Sequence, residues 1–183
     1  MTSDRRDDRQ AATRAALALE GLDALLVTHL PNIRYLTGFT GTAALLLVTA
    51  DQTVLVSDFR YEAQAAQEVG NSAAIEIDRS SVWERLGRVI GAAGIGTLGV
   101  EAHVMTLRDA ERLSALPRVR ITATTDIVER LRASKGPEEV AAIRAAAELA
   151  QDALDELLPS VRVGQSELQI SARLEEALRR RGS

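Results

Sequence analysis

Several features that are common in other classes of protein are missing from this sequence of 183 residues. It contains no cysteine, which excludes disulfide bonds and is typical of a reducing compartment. No stretch reaches the roughly 18 apolar residues of a membrane-spanning helix, and residues 1–20 lack the apolar segment of a secretory signal peptide. We therefore expect a cytoplasmic protein that makes no contact with a membrane.

An excess of basic residues is missing as well. The 22 basic and 26 acidic residues give a net charge of −4 and are spread along the chain, whereas a nucleic-acid-binding protein needs a basic face. Hydrophobic residues make up 46% of the sequence, as in ordinary globular proteins. A length of 183 residues suits one domain with its own core, or one domain and a piece of another.

The most informative stretch covers residues 22–61. Its first apolar run, 24–28, is too short for a helix and predicts a buried strand. We expect Asn32 to cap a short helix that Gly38 ends, with Ile33, Leu36 and Thr37 facing inward. Two further strands are predicted at 44–49 and 53–57, and the three residues between them indicate a tight hairpin.

The remaining pattern alternates strands with helices. Strands are predicted at 74–77, 97–100 and 120–124, and helices at 3–20, 60–69, 80–90 and 106–116. This alternation, together with one antiparallel hairpin, predicts the α/β class with a mixed sheet flanked by helices. The residues expected to face inward are Ala12, Ala15, Ala16 and Leu19 on the first helix, Ala63, Ala66 and Val69 on the second, and Leu107, Ala110, Leu113 and Leu116 on the last.

The carboxyl-terminal part has a different organisation. A short helix at 126–132 leads to Lys135-Gly136-Pro137, which has the composition of a boundary. Two amphipathic helices follow, one over 137–158 and one that begins with a capping box made by Ser166 and Gln169. Both apolar stripes require a partner surface, so we expect the chain to self-associate as a homodimer or a larger assembly.

Three motifs occur in an order that resembles the creatinase, prolidase and aminopeptidase P family. The residues that carry the resemblance are Asn32, Tyr35, Leu36, Gly38 and Phe39, then Asp58, Arg60, Tyr61 and Gln64, and finally residues 131–139. The resemblance implies a creatinase N-terminal domain-like fold over residues 1–130. It also implies that residues 131–183 are the linker and the first two helices of an incomplete pita-bread domain, so that the chain looks truncated.

The same resemblance implies a parent metallopeptidase of the M24 family that hydrolyses Xaa-Pro bonds. Such enzymes use two divalent metal ions, with manganese expected here, which activate a bridging water and polarise the scissile carbonyl. In the family, the two aspartates, one histidine and two glutamates that bind these ions lie beyond the last residue of this sequence. We therefore expect no catalytic residue and no metal ligand in this chain, and no activity from it alone.

Substrate binding is the role that the resemblance leaves to this part of the enzyme. The amino-terminal domain often lends a loop to the substrate cleft, which makes Phe39, Arg60 and Tyr61 the candidate substrate-binding residues. Asp58 is placed to accept hydrogen bonds from the start of the following helix, and Arg60 can pair with it. The alternative is that residues 58–61 only fix the turn from strand to helix.

The sequence gives little support to other catalytic or cofactor-binding motifs. Glu101 and His103 are two residues apart at a strand end, which is too little for a three-ligand metal site, and His29 fits a loop hydrogen-bonding role. No serine has the surroundings of a nucleophile elbow. The glycines of 91–96 precede a strand, whereas a dinucleotide-binding loop follows one.

Two alternatives to the peptidase hypothesis stay open. The chain could be a stand-alone binding or oligomerisation module without catalysis, or the parent enzyme could be a creatinase-type amidinohydrolase. The gene sequence beyond Ser183 would distinguish a module from an enzyme.

Overall fold

The computed structural model describes residues 3–183, with side chains from Arg5 onward, so Met1 and Thr2 of the expected domain 1–130 lie outside the described part. The chain forms two compact units, one ending at Ala133 and the other covering Ser134–Ser183. The border that the sequence suggested, between residues 130 and 131, falls within the last helix of the first unit. That helix stays with the first unit because Ile127 and Val128 are buried in its core.

The first unit alternates strands and helices along its length. Its elements are α1 Ser3–Leu19, β1 Ala24–Val27, α2 Leu30–Thr37, β2 Ala44–Thr49, β3 Thr53–Asp58, α3 Glu62–Val69, β4 Ala74–Asp78, α4 Val82–Ala93, β5 Thr97–Glu101, α5 Leu107–Ser114, β6 Arg120–Thr124 and α6 Ile127–Ala133. A 3-10 turn, Phe59–Tyr61, precedes α3. Each strand lies within a residue or so of its predicted position.

The six strands form one sheet in the order β4-β3-β2-β1-β5-β6. Strand β2 runs antiparallel to β1 and β3, whereas the pairs β3–β4, β1–β5 and β5–β6 are parallel. Every strand except β2 therefore points the same way, and their carboxyl ends share one edge of the sheet. The predicted mixed sheet flanked by helices is confirmed.

Helices cover both faces of this sheet, because alternate strand residues point to opposite sides. On one face Leu25 and Leu46 pack with buried residues of α1, α2, α3 and α6. On the other face Leu26 and Leu47 pack with buried residues of α4 and α5. Ligand sites in such sheets usually lie at the carboxyl ends of the parallel strands, and both side-chain clusters described below lie there.

The helix α2 follows the prediction except at its start. It ends at Gly38, whose positive φ of 80° and N–H bond to the Arg34 carbonyl oxygen at 2.7 Å form a left-handed cap. The predicted inward residues Ile33, Leu36 and Thr37 are buried. The prediction that Asn32 caps the helix is wrong, because His29 holds the capping position and Asn32 lies inside the first turn, fully buried.

On three helices some of the residues predicted to face inward are exposed instead. Helix α1 buries Gln10, Thr13 and Leu17, whereas Ala15 is exposed and Leu19 is 89% exposed. The polar Gln10 can be buried because its amide donates to the carbonyl oxygens of Leu36 and Ser72, at 3.1 and 2.8 Å. On α3 the predicted Val69 is buried, but Ala63 and Ala66 are exposed and Ala65 is buried instead. On α5 the predicted Leu113 is buried, whereas Leu107 is exposed.

These corrections have local causes. The 3-10 turn delays the start of α3, which changes the residues that face the sheet. Leu107 is the first residue of α5, well before the buried Leu113. The predicted cap of that helix is confirmed, since Asp109 N–H donates to Thr106 Oγ1 at 3.1 Å.

The second unit is a helix pair, α7 Pro137–Leu157 and α8 Glu167–Arg180, joined through a 3-10 turn at Leu158–Ser160. The two helices pack on each other, and Ala153, Leu157 and Ala177 are buried. The predicted capping box of α8 is confirmed by reciprocal bonds between Ser166 and Gln169. Across residues 3–183, each helix is either too short or too polar to span a lipid bilayer.

Limited digestion with trypsin should cut the chain first after Lys135, in the non-helical segment that joins α6 to α7. Arg130 and Arg132 are also trypsin sites, but both lie in α6, and helical backbone resists proteases. Arg132 is held further by donating from Nη1 to Asn32 Oδ1 at 2.7 Å. Mass spectrometry of early fragments checks this, and first products ending at Arg130 or Arg132 would contradict the observed border.

Candidate functional site

The three residues predicted to bind substrate lie together, in the loop after α2 and the turn after β3. The rings of Phe39 and Tyr61 meet edge to face, with centroids 5.6 Å apart and an angle of 82° between planes. The guanidinium carbon of Arg60 lies 5.5 Å from the centre of the Tyr61 ring. Residues separated by more than twenty positions in sequence are therefore in contact.

Asp58 fixes the conformation of the turn. Its carboxylate accepts the backbone N–H of Arg60 at 3.0 Å, as the sequence predicted. It also accepts two bonds from the Arg60 side chain, from Nε at 2.9 Å and from Nη2 at 2.7 Å. These bonds lower the pKa of Asp58 and raise the pKa of Arg60. The turn is thus rigid, while the Arg60 side chain remains 62% exposed.

Tyr61 is anchored through its hydroxyl group. The hydroxyl oxygens of Tyr61 and Thr42 are 2.6 Å apart, and this hydrogen bond lowers the pKa of Tyr61. Between Phe39 and Thr42 the backbone passes directly over both aromatic rings at Gly41. A Cβ atom at that position would overlap Phe39 Cζ and lie 2.8 Å from Tyr61 Cδ1. Glycine is therefore required for this packing.

The loop is also fastened to α3. Glu68 accepts the backbone N–H of Thr40 at 2.7 Å and its hydroxyl at 2.6 Å. Gln64 Nε2 donates to Thr40 Oγ1 at 2.9 Å and to Glu68 Oε1 at 3.1 Å. Burial opposes ionisation of Glu68, but the bonds from Thr40 and Gln64 outweigh it and lower the pKa of its carboxyl group. The loop is held in place before any ligand arrives.

Phe39 occupies a different position from its two neighbours in this group. Its side chain is 1% exposed and belongs to the core of the first unit. A direct contact between Phe39 and substrate stays a prediction. In the structure, Phe39 supports the loop. The groups that a ligand can contact here are the guanidinium group of Arg60 and the edge of the Tyr61 ring. Both are suited to binding a ligand.

A second cluster of polar side chains lies at the carboxyl ends of β1 and β5. Glu101 ends β5 and is 4% exposed. Its Oε2 accepts the backbone N–H groups of Thr28 and His29 at 2.7 and 2.8 Å, and its Oε1 accepts Asn32 Nδ2 at 2.6 Å. A buried carboxylate needs such donors, because burial without them is costly.

Asn32 extends this network to α6. Its amide nitrogen also donates to Glu129, and its Oδ1 accepts Arg132 Nη1 at 2.7 Å. Burial opposes ionisation of Glu129, but the bond from Asn32, a backbone N–H and the two nearby histidines outweigh it, so its pKa is lowered. Through the fully buried side-chain amide of Asn32, the hydrogen-bond network joins β1, β5, α2 and α6.

Two histidines complete the cluster. The distance from Glu129 Oε1 is 3.3 Å to His103 Nε2 and 3.8 Å to His29 Nδ1. The two imidazole rings meet edge to face, with centroids 5.5 Å apart. The sequence paired His103 with Glu101, but Glu101 is occupied by backbone donors and its place beside the histidines is taken by Glu129. Nothing in the local sequence indicates this grouping, since Glu129 lies 26 residues beyond His103.

These residues are also the ones that could hold a metal ion. Among the described residues, one ligand atom from each of His29, His103 and Glu129 lies within 4.8 Å of the others. Two imidazole nitrogens and a carboxylate oxygen form a donor set that suits zinc and similar ions.

Comparison with known proteins identifies a family. Residues 9–134 match the sequence profile of the creatinase/prolidase N-terminal domain. An uncharacterized peptidase of Bacillus subtilis is 33% identical over 164 residues, which is 89% of this chain and 46% of that protein.

Solved structures agree with this match. The Xaa-Pro dipeptidase from Bacillus anthracis is 27% identical, with a TM-score of 0.92 over 97% of this chain and 50% of that one. The N-terminal domain of the cytoplasmic peptidase PepQ from Mycobacterium tuberculosis is 37% identical, with a TM-score of 0.61 over 68% of this chain and 98% of that one. The chain spans about half the length of the curated relatives it matches.

Proposed function

Because the chain belongs to the creatinase/prolidase N-terminal domain family, we propose that it forms the amino-terminal part of a metal-dependent peptidase that hydrolyses Xaa-Pro bonds. In this proposal residues 131–183 are the linker and the first two helices of a pita-bread metallopeptidase domain. The amino-terminal unit shapes the substrate cleft and takes part in oligomerisation.

One observation carries this proposal, the extent of the likeness to the Bacillus anthracis dipeptidase. The profile match ends at residue 134, whereas the structural likeness covers 97% of the chain and so includes the helices that follow. A likeness of that extent supports a peptidase context over a stand-alone module, which would not need α7 and α8.

The hydrolytic step would take place outside the residues described here. Two divalent metal ions, with manganese as the expected species, would lower the pKa of a bridging water and polarise the scissile carbonyl. We propose a cytoplasmic location, which the absence of cysteine and the name of the Mycobacterium tuberculosis relative support.

The surface around Arg60 would serve the rim of the cleft. Its guanidinium group is exposed and held in one orientation by Asp58, so it can bind a peptide carboxylate at little cost in conformational entropy. Tyr61 would add an aromatic surface beside it, and Phe39 would hold the loop that presents both.

The test begins with the gene that encodes the chain, which should continue beyond Ser183 into a metallopeptidase domain. The whole product should hydrolyse Xaa-Pro peptides with added manganese, whereas residues 1–183 alone should show no turnover. In the whole enzyme, Arg60→Ala should raise KM by about tenfold with a smaller change in kcat, because a charge-assisted contact to substrate is lost.

Arg108→Ala is the matched control, since Arg108 is exposed on α5, which packs on the opposite face of the sheet from Phe39. Turnover by residues 1–183 would contradict the proposal. A gene without a peptidase domain would favour the stand-alone binding module instead. Hydrolysis of creatine but not of Xaa-Pro peptides would identify a creatinase-type amidinohydrolase.

Self-association is the second expected property. The apolar residues Val140, Ile143 and Leu154 on α7 are 41%, 56% and 43% exposed. Burying such side chains contributes roughly 1.5–3 kcal/mol each, so a partner surface would be favoured. Sedimentation of residues 1–183 across a range of concentrations should show dimers or larger species.

The variant Ile143→Glu should weaken this association by at least about tenfold, because a charge in an apolar contact is costly. Ala145→Glu introduces the same charge at another exposed position of the same helix and should have little effect. A chain that is monomeric at every concentration, or variants that behave alike, would contradict the proposal.

A further inference from the structure

We propose that His29, His103 and Glu129 form a binding site for one divalent transition-metal ion of the zinc class. The three residues come from the ends of β1 and β5 and from α6, all within the first unit. They supply two imidazole nitrogens and one carboxylate oxygen. Zinc binds this combination well, whereas manganese and magnesium favour sites made mainly of oxygen.

The distances between the donor atoms suit a single ion. Ligand bonds of about 2.0–2.1 Å in a tetrahedral site place neighbouring donor atoms about 3.3 Å apart. Glu129 Oε1 is 3.3 Å from His103 Nε2 and 3.8 Å from His29 Nδ1, and all the donor atoms lie within 4.8 Å of one another. Small rotations of the two rings would bring all three donors onto one ion.

One nitrogen of His29 gives a second observation at this cluster. Its Nδ1 is buried and has no hydrogen-bond partner among the residues that the structure describes. A buried polar nitrogen without a partner costs free energy, so native structures rarely contain one. A metal ion at the position between His29 and Glu129 would satisfy this nitrogen.

The residues around the cluster hold the ligands in place, as the outer shell of a metal site does. Asn32 donates to the Glu129 carboxylate, and Glu101 accepts the backbone N–H of His29 at 2.8 Å.

The site is open on one side. The side chain of His103 is 41% exposed, so an ion can enter from solvent without opening the fold. Three protein ligands leave a fourth position for water or for a donor atom of another molecule. Since the ligands come from three elements, the bound ion would tie β1, β5 and α6 together and stabilise the unit against unfolding.

The test uses residues 1–183 without an affinity tag. Calorimetric titration with zinc chloride should show one ion per chain, and thermal unfolding should shift to a higher temperature with zinc. Cobalt chloride should give the intense visible absorption of a tetrahedral site, which reports the coordination directly. Both His103→Ala and Glu129→Gln should weaken zinc binding by at least about tenfold, since each removes a ligand.

Glu111→Gln is the matched control, because it makes the same chemical change at an exposed residue on α5. Circular dichroism should show that each variant stays folded, and His103→Ala is safe in this respect because His103 is exposed. The proposal is overturned if zinc binds no more tightly than about 1 mM, or if His103→Ala and Glu111→Gln bind zinc alike. Neither result depends on whether the chain belongs to a peptidase.

Discussion

Replacing Asn32 by leucine should lower the free energy of unfolding of the first unit by about 3–5 kcal/mol. Asn32 is fully buried, and its amide group makes three hydrogen bonds. The nitrogen donates to Glu101 and Glu129, and the oxygen accepts from Arg132. Leucine has the same number and branching of side-chain heavy atoms but can make none of these bonds, so the polar contacts are lost.

The expected loss is large because the partners of Asn32 are charged. A hydrogen bond to a charged group contributes about 1.5–3 kcal/mol, and removing one partner leaves the other desolvated. Glu101 would suffer most, since it is 4% exposed and cannot turn to solvent. Against a total stability of about 5–15 kcal/mol for a typical domain, such a loss is substantial.

Urea denaturation followed by the fluorescence of Trp83 measures this effect, because Trp83 is the single tryptophan of the chain and lies in the first unit. Asn71→Leu is the matched control, since Asn71 is exposed in the turn after α3 and should change stability by under about 0.5 kcal/mol. If the two variants unfold at the same urea concentration, the network around Asn32 does not hold the unit together.

The strands and most helix ends were predictable from the sequence because their causes are local. Gly38 ends α2 with a positive φ, and Thr106 and Ser166 cap the helices that follow them. Short apolar runs bounded by turn residues locate the strands, and the close spacing of β2 and β3 reveals the antiparallel hairpin. These features depend on residues only a few positions apart.

Contacts between residues far apart in sequence determine the features that the sequence did not predict. Asn32 has the composition of a helix cap, yet its partners lie 69 to 100 residues further along the chain. Gln10 is polar, yet it faces the core because carbonyl oxygens of Leu36 and Ser72 accept its amide hydrogens. The cluster of His29, His103 and Glu129 could not be predicted either, since the sheet order and the position of α6 assemble it.

Replacing Phe39 should also cause a large loss of stability. The result would distinguish a structural role of this residue from a role in binding substrate. Its ring is 1% exposed and packs with Tyr61 and Gly41 beneath the loop. Replacing a buried phenylalanine by alanine removes this apolar contact and leaves a cavity, which typically costs about 3–5 kcal/mol. We therefore expect Phe39→Ala to destabilise the first unit by that amount and to loosen the loop that carries Thr42.

The chain offers a matched control in Phe59, the only other phenylalanine, which is 54% exposed in the 3-10 turn. Phe59→Ala should cost less than about 1 kcal/mol in the same urea experiment, because most of its ring already contacts water. If Phe39 acted mainly on substrate, Phe39→Ala would leave stability unchanged and alter only the KM of the whole enzyme. Equal stability of the two alanine variants would therefore contradict the structural role, since a ring enclosed by the core cannot be removed without loss of packing.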